Sequence, residues 1–166
     1  MNDAHLHLIV NHFPIIGTIF GFGILLLGLI LGNTTLKNTA YGIFILAALF
    51  GLASMATGDG AEEIVADMPG IGKQIIHEHE EIAEKLALLL DVLGVVSILG
   101  LFLNYKKQAK AKLVSYLVLV IACVAVFVAQ QVGTSGGEIR HSEIRPNATA
   151  APAPAGTEST TSEDKD

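Results

Sequence analysis

Four long apolar runs, separated by short polar segments, constrain this chain more than anything else in it. They cover Phe13–Leu31, Tyr41–Ala56, Ile82–Leu103 and Leu113–Val132. Each approaches the ~20 residues that an α-helix needs to cross ~30 Å of hydrocarbon, the second being the shortest. A backbone in lipid must pair its own N–H and C=O groups, so runs of this kind are helices. Composition agrees: 51% of the 166 residues are hydrophobic and only 16% are charged, against about one-quarter charged in a soluble domain. No length remains for a sizeable soluble core. The predicted fold is all-α, a bundle of four transmembrane helices forming one domain over residues 1–145.

Charge asymmetry predicts the orientation. Lys37 follows the first run, and Lys106, Lys107, Lys110 and Lys112 follow the third, with no acid in either loop. The segment between the second and third runs is acidic instead: Asp59, Glu62, Glu63, Asp67, Glu78, Glu80 and Glu81. The positive-inside rule places the two lysine loops in the cytoplasm and both termini outside, as in a bacterial inner membrane. Tyr41, Tyr105 and Tyr116 fall at the cytoplasmic ends, where aromatic rings anchor. The first twelve residues lack Lys and Arg, so no cleaved signal peptide is expected. No basic patch suits a nucleic acid.

From about Pro146 the chain turns to Ala, Pro, Thr, Ser and acids. That composition cannot bury enough apolar surface to offset its ordering entropy, and residues 146–166 are expected to form a disordered outer tail. Asn147-Ala-Thr matches a glycosylation sequon, which in so short a tail is expected by chance. The segment Thr57–Gln74 is expected to be an outer loop with a short amphipathic helix around Glu62–Asp67, stopped before Pro69. The lone Cys123 can form no internal disulfide and is read as a small apolar packing residue.

All six histidines sit at the predicted outer ends. His5, His7 and His12 precede or open the first run, His77 and His79 precede the third, and His141 follows the fourth. Imidazole is neutral at physiological pH, ligates metals and binds haem iron axially. Interfacial hydrogen bonding explains any one of them; six at one face point to a metal or haem. Pro14 suits a first helical turn, so the first helix is expected to start at His12–Pro14. His77, Glu81, Glu84 and Asp91 follow at i, i+4, i+7 and i+14 on one helix face. Asp91 lies well inside the third run, where an ionised carboxylate is costly. It is expected to face the bundle interior, neutral or hydrogen-bonded, as a proton-linked group, a partner of the ligands or an interhelical bond.

Gly17, Gly21, Gly28 and Gly32 form a narrow stripe on the first helix that would allow close packing. Gly23 lies off that stripe beneath His12, where it would leave room for a flat macrocycle. A parallel repeat of two hairpins is also visible. His5-Leu-His7 and His77-Glu-His79 open the halves, Gly28-Leu-Ile-Leu matches Gly100-Leu-Phe-Leu, and Thr57-Gly-Asp-Gly matches Thr134-Ser-Gly-Gly. There is no CxxCH, HExxH or phosphate loop, and His77-x-x-x-Glu81 reverses the Glu-x-x-His order of dimetal bundles.

The opening His7-Leu-Ile-Val-Asn-His12-Phe-Pro-Ile resembles that of a widespread family of uncharacterised bacterial four-helix membrane proteins. That family starts His-Pro-x-x-x-His-Phe-Pro-Ile and closes with Gly-Gly-(Glu/x)-hydrophobic, as Gly136-Gly-Glu-Ile139 does here; Thr57-Gly58 also matches. The resemblance spans about residues 7–141. Leu8 replaces the expected proline, and Arg140-His141 the usual hydrophobic and tyrosine residues. The family's layout is similar to b-type cytochromes, which implies haem.

Together these readings lead to an integral membrane protein binding haem b or a related redox metal near the periplasmic face. It would be an electron-transfer subunit rather than an enzyme, with other membrane or periplasmic redox proteins as partners. His7, His12, His79 and His141 are the candidate haem ligands, and His12, His79 and His77 the candidate metal ligands. Asp91, Glu84 and Gly23 would support them, and Lys73, Arg140 or Arg145 could pair with propionates. The alternatives are an outer Zn or Cu site from His5, His7, His77 and His79, and a cofactor-free structural subunit of a membrane complex. No nucleophile–base arrangement suggests a hydrolase or transferase.

Overall fold

A computed structural model of the chain describes residues 2–66 and 68–145. Asp67 and the expected tail from Pro146, including Asn147, lie outside the described residues. Among the described residues every regular element is helical. These are α1 (Asp3–Val10), α2 (His12–Ile30), α3 (Thr34–Val65), α4 (Lys73–Tyr105) and α5 (Ala111–Arg140), followed by a 3-10 turn, Ser142–Ile144. Helices α2 to α5 pack as an up-down-up-down ring, each against its neighbour in sequence and α5 back against α2, while α1 leans on α3. Four stretches are long and apolar enough to cross a membrane: Asp3–Ile30, Thr34–Val65, Lys73–Tyr105 and Ala111–Arg140. This is a multi-pass membrane protein. One end of the bundle carries the histidines, the other the lysine turns.

The outer surface is as apolar as the interior. Phe20, Ile30, Leu88, Val95, Leu113 and Phe127 are all more than half exposed, which suits contact with lipid chains. Small residues occupy much of the inward stripe: Ser115, Val118, Ala122, Ala125, Ala129 and Val132 on α5, and Ala40, Ala47, Ala48 and Gly51 on α3. They bring backbones close around the few large side chains in the core, Tyr41, Phe44, Leu25, Leu90 and Leu93. The glycine stripe of α2 works in this way against α3. A Cβ at Gly21 would stand 2.5 Å from Phe44 Cε1, and one at Gly28 would stand 2.9 Å from the Lys37 backbone nitrogen. Gly32 has a different reason. Its φ of +62° is the left-handed conformation that ends a helix, and Asn33 N–H donates to Gly28 O at 2.9 Å across the turn. Asn33 then caps α3 by accepting from Leu36 N–H at 3.1 Å.

Two expectations about boundaries need correction. The acidic segment after the second run is not a loop: α3 continues through Thr57-Gly-Asp-Gly to Val65, so the connection to α4 is short. Glycines inside a helix cost about 1 kcal/mol each, but Gly60 is where α1 crosses α3. A Cβ there would meet Asp3 Oδ2 at 2.5 Å. Likewise α5 runs past Val132 to Arg140. All four helices of the ring extend beyond their apolar runs or, in the case of α2, through the short α1.

Gly21→Ala is expected to lower unfolding stability in detergent by about 1–3 kcal/mol, because the fully buried Phe44 ring cannot withdraw. A Cβ at Gly23 meets nothing within 4 Å, so Gly23→Ala should be neutral or stabilising by up to about 1 kcal/mol. Paired thermal melts of the two variants test the packing.

Candidate histidine site

The junction of α1 with α2 builds the site. Pro14 has no N–H to return to the Val10 carbonyl, and the helix breaks there, at Asn11 between α1 and α2. Asn11 N–H still donates to His7 O at 2.9 Å, so the break is a bend and the chain turns α1 over α3. Phe13 stacks on Phe50 of α3 at 4.5 Å between centroids, fixing the bend from below.

His7, half-buried, points its Nδ1 at Ser54 O (3.1 Å) and Thr57 Oγ1 (3.2 Å) on α3. A carbonyl oxygen only accepts, so Nδ1 carries the proton and Nε2 keeps a free lone pair. His12 repeats the logic, with Nδ1 at 3.1 Å from Leu8 O. His79, on α4, sets Nδ1 at 2.9 Å from Ser135 Oγ. The Ser135 hydroxyl proton goes to Val132 O at 3.2 Å, so His79 is again the donor and its Nε2 is bare. Its ring lies against Gly136, where a Cβ would be 3.0 Å from Cε1. The Gly136 of the closing motif is therefore a glycine that admits the His79 ring. His7 is within electrostatic reach of both His12 and His79. Asn11 Oδ1, at the same bend, is buried without a hydrogen-bond partner.

Other expected site residues lie apart. His141 is exposed beyond α5 and donates Nδ1–H to Glu143 at 2.9 Å. The Glu143 carboxyl is held below the usual range by its own backbone N–H and by His141. His77 is exposed, with ring nitrogens 3.9 Å from Glu80 and 3.4 Å from Glu81, and His5 is exposed as well. Arg145 does not wait for a propionate: its guanidinium donates to the carbonyls of Glu138, Ile139 and Gly70. Arg140 donates to Met68 Sδ, and Lys73 is exposed at the start of α4. Gly23 lies in open surroundings rather than in a slot. Asp91 corrects the expectation of an inward polar line. The buried face of α4 is Leu86, Leu90, Leu93, Gly94, Ser97 and Gly100, and Glu84 is exposed and Asp91 partly exposed away from it.

Among the described residues no three His, Cys, Asp or Glu side chains form a metal-holding group. What the fold places at one end is a smaller set: two tethered imidazoles from opposite hairpins, within electrostatic reach of each other, and His12 within reach of the first. Sequence reasoning missed the tethers Ser54, Thr57 and Ser135. Thr57 and Ser135 lie within the matched segments Thr57-Gly-Asp-Gly and Thr134-Ser-Gly-Gly, but one position apart in register, since that match pairs Thr57 with Thr134. Comparisons with protein-family models, curated proteins and solved structures find no match.

Nitrogen-15 NMR of histidine-labelled protein at neutral pH should show Nδ1–H and a bare Nε2 for His7, His12 and His79. Ser135→Ala should abolish that preference at His79 and leave it unchanged at His7.

Proposed function

We propose that the protein is a membrane subunit that holds a redox metal, haem b before any other, at the histidine end of its bundle. On this reading that end faces the periplasm of a bacterial inner membrane, and the subunit passes electrons instead of transforming a substrate. The observation that carries the reading is the placement of Nδ1 of His7, His12 and His79 against oxygen atoms, from which we assign the proton to Nδ1 and the free lone pair to Nε2. Tethering one ring nitrogen is how proteins orient a metal-ligating imidazole and raise its basicity.

Ligand number favours haem over zinc or copper. Haem iron asks the protein for one or two axial donors, whereas a tetrahedral zinc site takes three or four side chains. The His7–His79 pair meets the smaller demand. The bundle interior does not offer a slot: Phe44, Ala48 and Tyr41 fill the spaces beside Gly21, Gly94 and Gly100. This supports a haem held at the end of the bundle over one held between its helices. Bound iron would supply one-electron transfer. His7 and His79 would hold it, Ser54, Thr57 and Ser135 would keep their rings in the ligating tautomer, and Pro14 would hold α1 in place.

A second reading, a cofactor-free structural subunit, draws on the same bonds, because His7 ties α1 to α3 and His79 ties α4 to α5. The absorption spectrum of full-length protein, extracted mildly from cells supplied with haem, separates the readings. A haem spectrum is expected, abolished by His7→Ala and by His79→Ala and retained in His141→Ala. Ser135→Ala should weaken binding about 10- to 100-fold. A colourless protein with stoichiometric zinc or copper overturns the haem assignment, and a haem spectrum that survives His79→Ala overturns His79 as a ligand. Absence of haem and metal alike leaves the structural reading.

A further inference from the structure

The outward face of α4 has a spacing that none of the bundle's own contacts uses. His77, Glu81, Glu84, Leu88, Asp91, Val95, Ile98 and Phe102 follow at alternating intervals of four and three. That is the a/d seam of a left-handed helix pair. Leu88, Val95, Ile98 and Phe102 are 67%, 66%, 55% and 55% exposed, while the buried residues of α4 lie on the opposite side.

Asp91 sits in the middle of this seam. Lys85 and Lys106 bracket a stretch of α4 about 30 Å long at 1.5 Å per residue, and Asp91 is the one charged residue inside it. It lies roughly 9 Å inward from Lys85. Among the described residues it pairs with no cation, and the one Lys or Arg within the four apolar runs, Lys85, lies 3.9 Å from Glu81 instead. A partly exposed carboxyl at this depth is costly.

We propose that this face of α4 is the interface of a parallel homodimer, with Asp91 of each copy hydrogen-bonded to the other. Three observations select a second copy as the occupant. A two-fold axis along the membrane normal sets residue i opposite residue i, and a carboxyl paired with its own kind can donate from one and accept at the other. From Leu88 to Phe102 Asp91 is the single polar residue of the seam; such a residue fixes register and helix number, and polar side chains join helices in lipid. Where α4 leaves the apolar stretch, Glu80 falls at a g position and Lys85 at the following e position, and Lys85, 3.9 Å from Glu81 of its own helix, offsets the acids of the seam there. The g and e positions are the sites that pair between parallel helices. The dimer requires no cofactor and stands or falls independently of the haem reading.

The test uses full-length protein in native membranes. In a Cys123→Ser background, Leu88→Cys, Val95→Cys and Phe102→Cys should each form disulfide-linked dimers on mild oxidation, whereas Val120→Cys and Phe127→Cys on α5 should not. In detergent, Asp91→Leu should raise the dimer dissociation constant about tenfold, the scale of one interhelical hydrogen bond. Asp91→Asn, whose amide is also self-complementary, should remain dimeric. Three outcomes overturn the proposal: a monomer with no cross-links, cross-linking as strong on α5 as on α4, or a one-to-one complex with a different membrane protein bearing a basic residue at that depth.

Discussion

In hydrocarbon, burying a leucine between helices gains little over leaving it against lipid, so this bundle depends on how closely its backbones approach. The core is accordingly built from small residues set against a few large ones. Gly21 takes Phe44, Gly100 takes Tyr41, and Gly94 lies against Ala48. Dispersion at these contacts and a few interior hydrogen bonds hold α3 at the centre of the assembly. Tyr41 O–H donates to Ser115 Oγ at 2.8 Å, and Ser115 donates to Ala111 O at 2.9 Å. This short chain crosses from α3 to α5 and leaves no donor unpaired. At the lysine end Asn104 donates to Asn38 at 2.6 Å, joining α4 to α3. Each polar group buried near the middle thus fastens one helix to another or to its own backbone, except Ser97, whose hydroxyl has no partner.

The same economy governs the histidine end, in duplicate. In the first hairpin a histidine of the leading segment bonds the Thr57 hydroxyl, and a glycine follows that threonine. In the second, His79 bonds the Ser135 hydroxyl, and Gly136 follows. The sequence separations, 50 and 56 residues, are similar. The two hairpins therefore present equivalent imidazoles toward one end, as a parallel repeat would require. The equivalence is incomplete. Gly28 packs on the turn residues Leu36 and Lys37, whereas Gly100 packs on the Tyr41 ring, so the halves differ at the lysine end and agree at the histidine end. Only the first hairpin adds a bent leading helix.

Much of this was legible in advance because hydropathy and chain length act without tertiary context. Span number, the helix start at His12, and close packing at Gly17, Gly21 and Gly28 all follow from local rules. Those rules fail where a distant partner decides the outcome. Thr57-Gly-Asp-Gly reads as a loop until α1 is laid across it at Gly60. Arg145 reads as a free cation until the end of α5 offers it carbonyls. The polar line of α4 was assigned to the interior because an acid in lipid is costly. Yet the face that packs is chosen by Leu86, Leu90, Leu93 and Gly94, which mesh with α3 and α5. Periodicity correctly identified a shared face and could not say which way it pointed. The tautomers were beyond reach altogether, since they depend on Ser54 and Ser135, some 50 residues from the rings they orient.

Pro14 links these levels. Without it α1 would continue the axis of α2, and His7, five residues before His12, would rise roughly 7.5 Å beyond the bundle end. The missing N–H frees the Val10 carbonyl, the helix bends at Asn11, and His7 swings onto Ser54 and Thr57 instead. The same bend buries Asn11 Oδ1 without a partner, and an unpaired buried acceptor costs about 1–3 kcal/mol. A fold that needed α1 only as a lid could place a leucine at position 11 and avoid that cost. The bend, the His7 tether on α3 and the orphaned oxygen therefore share one cause, the proline at position 14.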